Sequence, residues 1–249
     1  MTVKQVAVTG ASRGIGKAIA QRFLAEGWRV WALARTQASV ADLKGDAHFV
    51  PFDAASEASV LEAAKTLTTQ AGHLTALVNN AGIALSAPLH KTSLEEFARI
   101  QHVNVTAPFL LIRELSGAMV KAGHGRIINI ASTAGSKGFK YTSAYCASKH
   151  ALLGLTRALA VELGSKGVTV NAVSPGWTET DMLTNAIDKI AATTGRGAAD
   201  ARDTLEKMNP LHRAVKPEEV AEVVFFLAAS TGAAAITGAN YAIDGGETV

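Results

Sequence analysis

Cysteine is almost missing from this chain: Cys146 stands alone among 249 residues. No intramolecular disulfide can form, which fits a reducing compartment and a cytoplasmic address. A dominant charge is missing too. The 24 basic and 21 acidic residues leave a net charge of +3, and no dense Lys/Arg block occurs, so a nucleic-acid partner is not expected. No uninterrupted apolar run reaches the roughly 20 residues that span a bilayer. The start, "MTVKQVAVTG", enters a strand-like segment without the apolar stretch of a signal peptide, so no membrane partner is expected. Metal-ligand spacing is also lacking. Of the seven histidines, neither His102 nor His150 has a carboxylate or cysteine set to complete a site.

What is present is a large apolar fraction, 48%, enough for one sizeable α/β domain over residues 1–249. Short runs rich in Val, Ile and Leu alternate with helical patterns. The runs are "VAV" from Val6, "RVWAL" from Arg29, "HFVPF" from His48, "TALVNN" from Thr75, "GRIINIAS" from Gly125, "VTVNAVSP" from Val168 and "NYAID" from Asn240. Continuous apolar runs of this kind predict parallel strands covered on both faces. Helices are expected from near Ile15, Ser56, Ser93, Ser143 and Pro217, several behind a Ser or Thr suited to an N-cap. In the first, Ile15, Ala18, Ile19 and Phe23 form one apolar stripe, and Gly27 stands where a glycine cap belongs. The fold class is α/β, a doubly wound parallel sheet of about seven strands. Residues 180–213 break the rhythm with about 30 residues that hold no strand, the kind of excursion that is usually functional. They read as a helical substrate lid, mobile around Thr193 to Ala199, where Gly195 and Gly197 occur without large apolar anchors.

Two short stretches carry chemistry. "VAVTGASRGIGKAIA" places Gly10, Gly14 and Gly16 between the first strand and the first helix, where glycines let a backbone turn tightly and approach a pyrophosphate favoured by the helix N-terminus. The spacing departs from the common Gly-x-Gly-x-x-Gly dinucleotide fingerprint. "YCASK" sets Tyr145 four positions before Lys149, one above the other on a helical face. A surface pair would satisfy that spacing. So would a proton-transferring tyrosine whose phenolate is favoured by a nearby ammonium, since a free phenol stays protonated at neutral pH. After the second strand Ala34, Arg35 and Thr36 supply no carboxylate to accept from an adenosine 2′-hydroxyl, and Arg35 could instead meet a 2′-phosphate.

"TGASRGIG", "NNAG" at Asn79 to Gly82, Asn104 in "HVNVTAP", Ser132 in "INIAS", "YCASK", "SPGWTETDM" from Ser174 and "DGG" at Asp244 to Gly246 together resemble the short-chain dehydrogenase/reductase family, over essentially the whole chain. The resemblance implies a Rossmann-like fold and a catalytic tetrad of Asn104, Ser132, Tyr145 and Lys149. Tyr145 would pass the proton and Lys149 would stabilise the phenolate. Ser132 would orient the carbonyl, and Asn104 would hold a water leading to Lys149. Tyr145 and Lys149 would also touch the cofactor, NADP(H). Other cofactor residues implied are Gly10, Ser12, Arg13, Gly14, Ile15 and Gly16 in the turn, with Arg13 and Arg35 at a 2′-phosphate. Asp53 and Ala54 would meet the adenine, and Asn80, Ala81 and Gly82 the adenosine ribose and its surroundings. Pro175, Gly176, Thr178 and Thr180 would meet the nicotinamide end. Thr178 departs from the larger aliphatic residue common at that place.

Similarity in "HALLGLTRALAVELGSKGVTVNAVSPGWTETDM" and the alanine-rich lid favour an NADPH-dependent ketoreductase, with a 3-oxoacyl thioester or related ketone as the small-molecule substrate. A dehydrogenase of cyclic or aromatic secondary alcohols is the enzymatic alternative, and a nicotinamide-sensing regulator without catalysis is the other. The family also implies a homotetramer, with the helices from near Ser93 and Ser143 packed across a two-fold axis. "ALLGLTRALAVEL" is apolar on more than the stripe needed to cover its own sheet. Cys146 is expected as a small buried hydrophobe turned away from Tyr145, because helical neighbours diverge by about 100°. His150 is expected to be structural. Trp177 could wall the substrate pocket or pack under the lid.

Overall fold

The computed structural model describes residues 3–249. All seven expected strands form: β1 Gln5–Thr9, β2 Arg29–Ala34, β3 Ala47–Pro51, β4 Ala76–Asn79, β5 Gly125–Ile130, β6 Val168–Pro175 and β7 Asn240–Ile243. They make one sheet in the order β3-β2-β1-β4-β5-β6-β7, parallel throughout. The order reverses between β1 and β4. Two loops therefore leave in opposite directions there and open a crevice at the carboxyl ends of the strands.

Helices cover both faces: α1 Gly14–Ala25, α2 Glu57–Gln70, α3 Leu94–Gln101, α4 Ala107–Ala122, α5 Ser143–Gly164, α6 Asp181–Thr194, α7 Ala198–Glu206 and α8 Pro217–Ala229. Alternation along the strands decides which helix meets which residue. Val6, Val8, Val30 and Ala32 pack with Ile19 and Phe23 of α1 and Val220 and Leu227 of α8. Ala7, Trp31, Leu33 and Leu77 face Val60 and Leu67 of α2, Leu111 of α4 and Leu163 of α5. Fully buried Phe23, Leu77 and Met119 each contribute roughly 1.5–3 kcal/mol relative to exposure.

The caps follow local chemistry. Ser56 accepts from Ser59 N at the start of α2, and Ser93 with Glu96 forms a capping box at α3. Gly27, at φ 72°, donates its N–H to Leu24 O beyond α1. Leu94–Ala122 runs as a continuous helical stretch that by length and composition alone could cross a membrane, but its most apolar window is half buried in the fold and charged residues interrupt it. The π-type turn His102–Thr106 joins α3 to α4 and bridges apolar segments too short to count separately.

Between β6 and α8 the expected lid is two helices, α6 and α7. They have a small core of their own, Leu183, Ile187, Ala201, Leu205 and Ala214, against which Trp177 packs. A parallel bridge from Thr178 to Val215 pins the two ends of this excursion together.

Deep in the sheet a polar ladder ties β4 and β5 to α5. Asn79 Nδ2 donates to Asn129 Oδ1 at 2.8 Å, Asn129 Nδ2 to Thr156 Oγ1 at 2.9 Å, and Thr156 Oγ1 to Leu152 O at 2.8 Å. All three side chains are buried, so removing the middle one strands its neighbours without water. Asn129→Ala is expected to cost about 2–4 kcal/mol in urea unfolding; a loss below about 0.5 kcal/mol would show that the ladder does not hold α5 to the sheet.

Candidate functional site

The crevice is shaped by a knot at the ends of β1 and β4. Thr9 Oγ1 accepts the N–H groups of Asn80 and Ala81, both at 2.9 Å, and donates to Val78 O at 3.4 Å. The Asn80 amide donates back to Thr9 O at 2.8 Å and to Gly10 O at 3.3 Å. The turn is so close that a Cβ on Gly16 would stand 2.2 Å from Gly10 O, and Gly10 itself has φ 67°. The third glycine is thus required for the helix to approach its own turn. Sequence reasoning set Asn80 near a ribose and missed this task for its side chain. Thr9, the last residue of β1, was missed altogether.

A pyrophosphate needs free N–H donors, and α1 begins with Arg13 as its N-cap and no side-chain cap bond. No acidic residue occupies its first turn. The glycine cradle and the uncapped helix start therefore fit an anionic dinucleotide. At the far side of the crevice Arg35 is exposed after β2. Asp53 turns one carboxylate oxygen onto Ala55 N at 3.0 Å, and Ala54 beside it is buried. Arg13 does something the sequence did not suggest: it pairs with Asp181 at 2.9 Å, linking the glycine turn to α6. Thr180 also packs on the turn, its Cγ2 3.0 Å from where a Gly14 Cβ would stand.

Ser132 follows β5, and its Oγ accepts from Ala134 N at 3.1 Å, which leaves the hydroxyl proton free to donate. Tyr145 lies in the first turns of α5, half-buried. Burial pushes its phenol pKa up, with the neighbouring Ser132 hydroxyl opposing. Lys149 is buried; its Nζ donates to Ile130 O at 2.8 Å and sits 5.7 Å from the Tyr145 ring centroid. Burial lowers its pKa to about 8. In the chain alone, burial sets the direction of the Tyr145 shift, and the Lys149 hydrogen bond is aimed at the end of β5.

Asn104 sits within the π-type turn. Its amide is fully engaged: Oδ1 accepts from Ile83 N at 2.9 Å, and Nδ2 donates to Ile83 O at 2.9 Å and to Ser148 Oγ at 3.0 Å. Ser148 in turn donates to Tyr145 O at 2.7 Å. The Asn104 amide is thus committed to backbone and Ser148. Gly82 lies against the same group: a Cβ there would be 3.3 Å from Asn104 Oδ1 and 3.6 Å from Lys149 Nζ. Ser148 was missed by sequence reasoning, although it stands within "YCASK" itself.

The Gly176 end of the crevice is held by Gly176 N donating to Ile243 O, next to Pro175 at the end of β6. Thr178 is buried and turns its hydroxyl onto Gly176 O at 3.0 Å, which accounts for a polar residue at that place. Thr180 Oγ1 donates to Thr178 O at 3.2 Å. Cys146 is half-buried rather than buried, with Sγ 3.2 Å from Thr142 Oγ1, because α5 leaves that face open. His150 is exposed and meets Cys146 O through Nδ1 at 2.9 Å. Among the described residues no cluster of His, Cys, Asp and Glu could hold a metal. A larger surface cleft between Trp28 and Phe225 lies at the opposite, amino-terminal end of β2, away from these groups.

A doubly wound sheet with a glycine turn at its switch point and Ser, Tyr and Lys side chains beside it defines the class of nicotinamide-dependent oxidoreductases. The chain belongs to the short-chain dehydrogenase/reductase family, and the family described as enoyl-(acyl carrier protein) reductase matches residues 10–248. It is 39% identical to a 3-oxoacyl-[acyl-carrier-protein] reductase of Synechocystis sp., covering 99% of this chain and 97% of the relative. It is 38% identical to D-threitol dehydrogenase of Mycolicibacterium smegmatis, covering 99% and 93%. A crystal structure of a variant actinorhodin polyketide ketoreductase with NADPH superposes with a TM-score of 0.93 at 33% identity, covering 99% and 97%. The chain is an oxidoreductase acting between CH–OH and C=O.

The buried lysine has a consequence for stability. A lysine whose folded pKa, about 8, lies below its ordinary 10.5 opposes folding while protonated. That penalty is complete below pH 8 and fades toward pH 10.5, as the folded state gives up its proton first. Lys149→Met is expected to raise stability of the cofactor-free protein at pH 7 by about 1–2 kcal/mol, net of the lost bond to Ile130 O, with the gain shrinking by pH 10. Thermal unfolding at both pH values checks this, and an equal or larger gain at pH 10 would contradict it.

Proposed function

We propose that this protein is an NADPH-dependent ketoreductase that converts a ketone, best a 3-oxoacyl thioester, to a secondary alcohol, with Tyr145 as general acid. The observation that carries the reading is the convergence of Ser132, Tyr145 and Lys149 at the carboxyl end of β5, with Ser132 Oγ accepting from Ala134 N, its hydroxyl beside Tyr145, and Lys149 Nζ on Ile130 O. The similarity to 3-oxoacyl and polyketide ketoreductases supports the substrate class. NADP(H), when bound, supplies or accepts the hydride.

In the direction of reduction the carbonyl oxygen gains negative charge as its carbon takes the hydride. Ser132 donates a hydrogen bond to that oxygen, and the Tyr145 hydroxyl delivers the proton that completes the alcohol. A phenol whose pKa is raised by burial stays protonated and is ready to act as the acid. Lys149 keeps two N–H groups beyond the one given to Ile130 O, and these can face the phenolate left behind and a cofactor ribose. The lysine's near-neutral pKa also suits it to pass a proton onward. Asn104 acts through its position: its amide fixes Ile83 and Ser148, and its main-chain carbonyl can hold the water that reprotonates Lys149. The reverse reaction uses the same groups. The likeness to a polyol dehydrogenase favours that direction as the second reading.

The cofactor residues proposed are the turn Gly10 to Gly16, Arg35, Asp53, Ala54, Asn80 to Gly82, and the segment Pro175 to Thr180. Residues 180–213 form the lid over substrate. Exposed Leu94, Phe97, Phe109 and Val161 on α3, α4 and α5 suit the homotetramer interface. A cytoplasmic setting agrees with the single cysteine.

Tyr145→Phe is expected to lower turnover of a reducible ketone by at least 10²-fold, with NADPH affinity within a few-fold. Retention of more than a tenth of wild-type turnover in a chemistry-limited assay would remove Tyr145 from the proton step. Cofactor choice gives a separate test. Arg35, and Arg13 if it leaves Asp181, are expected to favour NADPH over NADH by roughly 30- to 1000-fold in kcat/KM, and Arg35→Asp should erase most of that ratio. Equal use of both cofactors by the wild type would overturn the 2′-phosphate site.

A further inference from the structure

The carboxyl-terminal segment buries a charge that the proposed chemistry does not use. Glu247 is 7% exposed, its side chain only 1%, and Oε1 has no hydrogen-bond partner. Lys137 Nζ lies 3.4 Å from that oxygen as an ion pair, but its aligned hydrogen bond goes to the Glu247 main-chain oxygen at 2.7 Å. Burial pushes the Glu247 carboxyl up, with Lys137 opposing and Asp244 adding to the rise. A buried carboxylate is costly unless its oxygens are fully hydrogen-bonded as well as paired, and Oε1 here has the ion pair without a hydrogen bond.

Its surroundings suggest what it does. Glu247 Oε2 stands 3.0 Å from the place a Gly176 Cβ would take, and Asp244 Cα and Cβ fill the rest of that space at 3.1 Å. Gly176 belongs to the loop assigned to the nicotinamide end, and Lys137 to the segment that follows Ser132. The tail is itself rigid: Asp244 Oδ1 accepts from Gly246 N, and Oδ2 from Thr248 N and Oγ1. Gly245 and Gly246 pack on Asn209 and Pro210, beyond the lid helices. One carboxylate thus lies between the Lys137 ammonium and the space beside Gly176.

We infer that Glu247 is a positioning residue: through Lys137 and Gly176 it holds the Ser132 segment and the nicotinamide loop at a fixed separation, and so sets the alignment of carbonyl and hydride donor. The inference rests on the ketoreductase reading for its kinetic consequence, but the bracing is a property of the chain. Loss of alignment slows the hydride step itself, whereas loss of folded protein scales turnover without changing its character.

The test compares wild type with Glu247→Gln, Glu247→Ala and Lys137→Met, using NADPH deuterated at the transferred position. In Glu247→Gln, which keeps the size of the side chain, kcat is expected to fall about 10-fold. The deuterium isotope effect on kcat should rise, while NADPH affinity stays within about 3-fold. Lys137→Met should do the same, and the double variant should be no worse than either single one. Wild-type kcat and isotope effect in folded Glu247→Gln would overturn the inference, as would a lower kcat with an unchanged isotope effect. Hydrogen exchange separates failure here from failure of the functional reading. Even if no ketone is reduced, Glu247→Gln should speed exchange in both residues 133–142 and 175–178. Unchanged exchange in either segment would overturn the brace.

Discussion

Two hydrogen bonds into one hydroxyl support everything else at the functional end of this protein. Thr9 Oγ1 accepts Asn80 N and Ala81 N at the point where strand order reverses. The Asn80 amide returns the connection to Thr9 O and Gly10 O. A glycine turn left to itself would be the least ordered part of the chain, because glycine loses the most conformational freedom on folding. Here the end of β4 restrains it, so the cradle is in place before any anion arrives. The same loop then runs to Gly82 and Ile83, where it meets Asn104. The loop after β4 therefore bonds to the glycine turn at one end and to the Asn104 side chain at the other.

The proton-handling groups illustrate a competition in which burial prevails. Two side chains one helical turn apart invite the simple reading that the ammonium acidifies the phenol. The fold instead desolvates both, raising Tyr145 and lowering Lys149, and the lysine donates a hydrogen bond to Ile130 O. That state suits reduction, in which the tyrosine must carry a proton at the start. Asn104 shows a related exchange of roles. Its amide is consumed in fixing Ile83 and Ser148.

The carboxyl ends of five strands deliver the remaining parts without long-range tuning. Gly10 follows β1, Arg35 follows β2, Asn80 follows β4, Ser132 follows β5 and Gly176 follows β6. Loops leaving one edge of a parallel sheet must converge on the same side, so residues far apart in the chain become neighbours. The contacts that regulate spacing between those loops come from elsewhere: Arg13 to Asp181 across the cofactor side, and Glu247 between Lys137 and Gly176.

The sequence by itself determined the seven strands, the helices that begin near Ile15, Ser56, Ser93, Ser143 and Pro217, and the caps at Ser56 and Ser93. These depend on local periodicity and cap chemistry written along the chain; the sequence grouped Asn104, Ser132, Tyr145 and Lys149 only through its resemblance to a family, and it did not mark α4. It did not determine where side chains spend their hydrogen bonds. That Asn80 ties the turn, that Asn104 is used up on Ile83, that Arg13 reaches Asp181 and that Glu247 is buried all depend on partners brought together only by folding. The tertiary structure also decided the direction of the Tyr145 and Lys149 pKa values, because desolvation depends on every atom packed around a group. Nothing in a four-residue spacing records that.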